Sequence, residues 1–141
     1  MSRRKGRILA FQALYSYDVG GVPLDELLKL EWAEAAETEP GESTDFARMI
    51  IAGTINHLEQ VDESIRNHLS GSWTFDRINK VTLAILRMSI YSLIFQPDIH
   101  PTIVIDEAID IAKEFGSDDS FKFINAVLDT IRKELDVKKD D

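Results

Sequence analysis

Arg3, Arg4, Lys5 and Arg7 place four cations in five positions, SRRKGR, directly ahead of the apolar run ILAF. Guanidinium forks match the spacing of phosphate oxygens, and arginine-rich segments that order on RNA are a recurrent recognition mode. Because these cations lead straight into an amphipathic helix, ordering them costs less entropy than ordering a free tail. The helix dipole disfavours positive charge at this end by roughly 0.3–1 kcal/mol per residue at low salt, so the cluster serves something other than helix stability. Four phosphate contacts to a single strand would give a log–log salt slope of about −2.8, or a loss of roughly fifty-fold between about 50 and 200 mM salt. The plain alternative is a solubilising tail.

A second candidate lies in SDDSFKFINAVLD. Phe121 and Phe123 point about 200° apart on a helix, so one ring is expected near the surface, and a ring beside Lys122 suits base stacking. Asp106, Glu107, Asp110 and Glu114 share a helix face; paired carboxylates can bind Mg²⁺ or share a proton. The reading adopted for them is a solvated acidic face. His57, His68 and His100 lack metal-ligand spacing, and neither a phosphate-cradling glycine loop nor a nucleophile elbow occurs. The expectation is a non-enzyme without catalytic residues, metal or cofactor.

What must position these residues is a helical scaffold. The chain has 141 residues, 44% hydrophobic and 29% charged, with no cysteine. That is enough to bury a substantial core and leaves no disulfide or thiolate metal site. Net charge is −9; without the four N-terminal cations, 12 basic residues face 25 acidic ones, a net of −13. Such a body repels nucleic acid and anionic membrane at long range, so an anionic ligand must be met at a local basic patch. Gln12 and Asp18 break the apolar run too early for a secretory signal, and Gly6-Arg7 stands where a twin-arginine signal requires apolar residues. No stretch approaches a membrane span, and a cytoplasmic protein with no membrane partner is expected.

Periodicity predicts an all-α fold of about seven helices. The first spans about Arg3 to Val19, with Gly20-Gly21 as its stop. Pro23 opens a second through Leu24, Leu27, Leu28 and Trp32, followed by a loop at Thr38–Glu42. Ser43 or Thr44 caps a third whose stripe is Phe46, Ile50, Leu58, Val61, Ile65 and Leu69, with a break near Val61-Asp62. A short turn around Trp73–Ile78 leads into VTLAILRMSIYSLIF, a central buried helix interrupted by Arg87. Beyond Pro97 and Pro101, TIVIDEAIDIAKEFG turns Ile105, Ala108, Ala112 and Phe115 inward and ends at Gly116. Ser117 caps the last helix, built on Ile124, Val127, Leu128, Ile131 and Leu135, and the tail DVKKDD frays.

Three stretches, SRRKGRILAFQALYSY, LAILRMSIYSL and TIVIDEAIDIAKEFGSDDSFKFINAVLD, together resemble the NusB family of transcription antitermination factors. The resemblance covers nearly the whole chain in order and spacing. It implies one domain over residues 1–141, two small helical bundles packed across each other, with an N-terminal half of about 1–70 and a C-terminal half of about 71–137. It implies binding of boxA, a short single-stranded element of ribosomal RNA leader transcripts, jointly with the small-subunit ribosomal protein NusE. That complex joins RNA polymerase and other Nus factors to suppress premature termination. The family's arginine-rich motif falls on Arg3, Arg4, Lys5 and Arg7, and its first-helix glutamine on Gln12.

Asp119, Lys122 and Phe123 match the part of the family block that lies near RNA. Asp119 repels phosphate but can accept from a base amino group, which makes it a specificity contact. Tyr15, Thr82 and Arg87 fall in regions resembling the protein-partner interface. Thr82 stands where an acid is usual, Ser92 where Glu is common, Asp106 for the usual Asn, and Ala126 for the Gly of NGVLD. The first two bear on polar contacts to the partner; Ala126 implies wider helix spacing. An alternative is a protein-binding scaffold or homodimer whose basic arm docks on acidic protein surfaces. A NusB-like domain also precedes the catalytic domain of some RNA cytosine-5 methyltransferases, but that chemistry uses a cysteine nucleophile, which this chain lacks.

Overall fold

The computed structural model describes residues 2–30, 42–69, 71 and 74–140. The predicted reach of the second helix to Trp32, the loop over 38–41 and the turn's start at Trp73 lie outside them. Seven α-helices are present among the described residues: α1 (Ser2–Gly20), α2 (Leu24–Lys29), α3 (Glu42–Asn56), α4 (Leu58–Arg66), α5 (Lys80–Phe95), α6 (Pro101–Phe115) and α7 (Ser120–Asp140), with a 3₁₀ turn at Phe75–Arg77. No described helix is long and apolar enough to cross a membrane.

The most apolar stretch becomes α5, the spine of the fold. Asn79 caps it, its Oδ1 accepting from the N–H groups of Val81 and Thr82 at 2.9 and 3.3 Å. Every residue from Thr82 to Leu93 is buried, and α1, α3, α4, α6 and α7 all pack against it. A helix buried all round needs no amphipathic stripe, which is why its sequence reads as one apolar run.

Helix α1 ends as the glycines require: Gly21 takes φ +67°, and the Val22 N–H turns back to the Ser16 carbonyl at 3.3 Å. Helix α2 then stops at Leu30, whose backbone adopts φ 55° while its side chain is buried. The burial of Leu30 offsets a left-handed conformation that costs about 1–2 kcal/mol for an L residue. At the other end of α1, Gly6 lets the basic segment close onto α3, since a β-carbon there would meet the Ser43 carbonyl and the Phe46 ring.

Three predicted boundaries move. Helix α3 starts at Glu42, ahead of the expected caps Ser43 and Thr44. The break between α3 and α4 falls at His57 rather than near Asp62. Asp62 does not interrupt α4 because its charge is answered internally: both its carboxylate oxygens accept from Arg87 of α5, each at 2.8 Å. Asp18 of α1 lies 3.7 Å from Arg87 Nη1 and from Lys80. Helix α7 continues through Asp140 instead of fraying at Asp136, in a segment with no glycine or proline to end it.

The buried ion pair generates a stability prediction. Asp62→Ala strands the Arg87 guanidinium inside the fold, with only Asp18 at longer range, and should lose about 3 kcal/mol in urea unfolding. Replacing both members, Asp62→Leu with Arg87→Met, should recover most of that loss.

Candidate nucleic-acid interface

The four N-terminal cations form part of the first two turns of α1, and each is placed differently. Arg4 reaches α6: its Nε and Nη2 donate to the two oxygens of Glu107 at 2.7 and 2.6 Å, and Nη2 also donates to Asp110 at 2.9 Å. Three of its five N–H donors are thereby used. Arg7 is buried, 3% exposed, with Nη1 3.7 Å from Glu107. The guanidinium groups of Arg3 and Arg7 lie 4.8 and 5.1 Å from the centre of the Phe46 ring on α3. Arg3 is exposed and Lys5 half-buried.

The acidic face of α6 is therefore only partly a solvated surface. Glu107 and Asp110 hold the basic arm against the body, and Phe46 gives two arginines an aromatic seat worth about 0.5–1 kcal/mol each, more where water is excluded. The sequence carried the signal for this clasp in the opposite charges of SRRKGR and DEAID, without showing that the two would meet. The Arg4 hydrogen bond and charge hold the Glu107 carboxyl below the usual carboxylate range against an opposing effect of burial. The same contact raises Arg4. Burial pushes the Arg7 guanidinium down, with Glu107 opposing and Arg3 and Arg4 reinforcing the shift. Beside the arm opens a cleft of about 640 Å³, lined in part by Arg3, Arg4 and Arg7 of α1 and Glu107 of α6.

The second candidate group sits at the corner between α6 and α7. Gly116 is extended there, not left-handed, and its N–H bonds the Ala112 carbonyl at 2.8 Å. Ser117 contributes its carbonyl, which accepts from the Ser120 N–H and hydroxyl at 3.1 and 2.9 Å, in place of a side-chain cap. Asp119 and Lys122 are exposed and 3.7 Å apart, a pair too solvated to restrain either. Both phenylalanines are half-buried: Phe123 packs against the core, and Phe121 lies under Lys113, whose Nζ is 4.9 Å from the ring centre.

The two groups share one seam. Arg4 meets Glu107 and Asp110, and Phe11 meets Phe115 with ring centres 5.2 Å apart. These contacts advance along α1 and α6 together, so the two helices run in the same direction, bridged by side chains reaching between them. Seven residues of helix, about 10 Å, separate Arg4 from Phe11, and the α6–α7 corner follows Phe115. Gln12, half-buried, lies on α1 next to that second contact.

The residues assigned to a protein partner separate. Tyr15 is 37% exposed on α1, four residues before the exposed Val19. Thr82 and Arg87 are turned into the body, 4% and 7% exposed, because α5 is enclosed by its neighbours and Arg87 is held by Asp62. Ser92 is also interior, its hydroxyl donating to Gln96 Oε1 at 2.6 Å. The Ala126 methyl is on the exposed face of α7, so the wider helix spacing expected from it is not required.

A sequence model described as the NusB family matches residues 4–133. The transcription antitermination protein NusB of Treponema denticola is 51% identical over 132 residues, covering 94% of this chain and 96% of that protein. Among solved structures, T. maritima NusB aligns with a TM-score of 0.82 at 34% identity, over 94% of this chain and 91% of that one. A structure of antitermination factors NusB and NusE in complex with dsRNA aligns at 0.84 and 30% identity, over 94% and 97%.

The Glu107 clasp has a defined pH dependence. Because folding lowers this carboxyl's pKa, the clasp's contribution is full above the ordinary carboxyl value of about 4.3 and is lost as pH falls through the lower folded value. Glu107→Gln should cost about 0.5–1 kcal/mol near neutral pH, since Arg4 is itself 40% exposed. In urea titrations at successive pH values, the gap from wild type should close below about pH 4.

Proposed function

The chain belongs to the NusB family, and from that premise we propose that it is a non-catalytic antitermination factor that binds boxA RNA together with the ribosomal protein NusE. In this reading the pair joins RNA polymerase and the other Nus factors during transcription of ribosomal RNA leaders. One observation carries the RNA part: three arginines of α1 converge beside an open cleft on a protein of net charge −9. A phosphate chain finds its attractive potential there and repulsion over most of the remaining surface. The likeness to a NusB–NusE complex containing dsRNA supports RNA as the ligand class. Single-stranded boxA is the finer proposal, resting on the arm and on bases reaching the α6–α7 corner.

Arg3, Arg4, Lys5 and Arg7 supply phosphate contacts, and Gln12, Asp119, Lys122 and Phe123 continue the track along the α1–α6 seam. Asp119 accepts from a base amino group, and the partly exposed edge of Phe123 offers a stacking surface. Tyr15 with Val19 presents the apolar stripe for NusE, while Thr82 and Arg87 fix the helices behind it. A second reading is favoured by Arg4 itself, which already grips carboxylates: the arm docks on acidic protein, including another copy of this chain.

Filter retention of boxA RNA, with and without NusE, separates the two. The pair should bind boxA more tightly than a scrambled strand of equal length; equal retention defeats the proposal. Arg3→Ala should weaken RNA binding about threefold, as for an exposed ion pair, and make the salt slope shallower by about 0.7. NusE binding should be unchanged, whereas a scaffold acting through its arm would lose its protein partner.

A further inference from the structure

Besides the arm, the cleft is lined by the segment entering α6, with Asp98, Ile99, His100 and Ile103. The Arg7 side chain is buried, yet its Nη2 has no hydrogen-bond partner among the described residues. A buried donor left unpaired is costly, and its positive charge lies just behind the cleft lining, where an anion in the cleft would offset it. In that segment His100 caps α6 by accepting the Thr102 N–H on Nδ1 at 3.1 Å. A backbone amide can only donate, so Nδ1 carries the lone pair and a neutral ring must bear its proton on Nε2. The cap thus turns His100 into a donor on the cleft lining.

The remaining groups exclude a bare anion as the best occupant. Ile103 is 52% exposed on the cleft wall and Ile99 lies beside it, an apolar surface without use for phosphate alone. Asp98 is an acceptor that would repel an isolated anion but can take an N–H from a base. Donors beside an apolar wall and one acceptor match the three chemistries of a nucleotide: phosphate, base face and base edge. A volume of about 640 Å³ exceeds what a phosphate needs and falls in the range of small-ligand sites. The cleft is also continuous with the exposed Arg3, which marks the occupant as part of a longer chain.

We propose that this cleft seats one nucleotide of the bound RNA, its phosphate taking an N–H bond from His100 Nε2 with the arginine charge behind it, and its base lying on Ile103 with Asp98 as acceptor. The proposal rests on the RNA-binding reading and adds to it a base-reading position outside the basic arm and outside the α6–α7 corner.

The test uses the full chain with NusE and a fluorescently labelled boxA strand. Ile103→Glu, on an exposed position, should weaken binding about tenfold by putting a charged carboxylate where the base packs, within reach of a polyanionic strand. His100→Asn keeps an acceptor for the α6 cap but withdraws the imidazole, and should weaken binding about threefold. A methylphosphonate scan of the strand should find one linkage whose neutralisation weakens wild type but adds nothing to His100→Asn. NusE binding and thermal unfolding of both variants should stay near wild type. If wild type binds RNA and both variants match it, the nucleotide seat is wrong and the arm reading survives; if wild type binds no RNA, both fall. Displacement of the strand by micromolar nucleoside monophosphate would also overturn the proposal, assigning the seat to a free nucleotide.

Discussion

Cations at the N-terminal end of a helix oppose that helix's own dipole, and here the counterweight is a pair of carboxylates on another helix. Arg4 forks onto Glu107 and reaches Asp110, while Gly6 lets the same turn of α1 settle on α3 so that Arg3 and Arg7 cover Phe46. Without those partners the first two turns of α1 would carry mutual repulsion and an unfavourable dipole in an otherwise acidic molecule. With them, the basic segment is helical and docked before any ligand arrives. Binding then requires less ordering entropy than folding a loose arm onto RNA.

The same clasp limits the arm's electrostatic reach. A slope of about −2.8 assumes four cations that all exchange counterions for phosphate. Arg4 already has two carboxylate neighbours and Arg7 is enclosed, so fewer counterions are available for release. The arrangement trades bulk attraction for fixed donor directions. That suits recognition of a particular strand path better than general adhesion to polyanions.

At the other end of α1, Asp18 faces Lys80 and Arg87, and Arg87 is fixed by Asp62 of α4. Three helices therefore meet around one buried guanidinium. Removing one member of such a network leaves an uncompensated charge, so each charge requires the other helices to keep their places. The outward stripe of Tyr15 and Val19 lies on the helix held by that network. Thr82 and Arg87 belong to its support, which sequence position alone could not distinguish from its surface.

Local rules made much of the fold legible. Gly21 ends α1 in the left-handed conformation its composition demanded, and the enclosed α5 was readable as an apolar run with polar interruptions. Errors arose where a polar residue's partner lies far away in sequence. Asp62 resembled a helix break because nothing local answers its charge, yet its partner is Arg87, 25 residues on. Glu107 resembled a solvated face because its partner Arg4 is 103 residues earlier. The clusters themselves were visible, SRRKGR, DEAID and SFKF, because each is local. Their juxtaposition was not, because helix periodicity specifies which face turns inward but not which neighbouring face it meets.

The juxtaposition also determines what the carboxylates do to an approaching strand. An acidic residue beside a phosphate site ordinarily weakens it, and Glu107 lines the cleft. Both oxygens of Glu107, however, are engaged by Arg4, so the carboxylate presents itself as part of a near-neutral fork. Asp98, for which no such fork is seen among the described residues, supplies the unneutralised acceptor elsewhere on the lining. A strand entering the cleft therefore meets the arginines and the neutralised pair from one part of the lining, and the His100 donor, the Asp98 acceptor and the Ile103 side chain from the other. That asymmetry orients a nucleotide, its base toward Ile103 and Asp98 and its phosphate toward His100 and the arginine charge, where a uniformly basic patch would leave both directions equivalent.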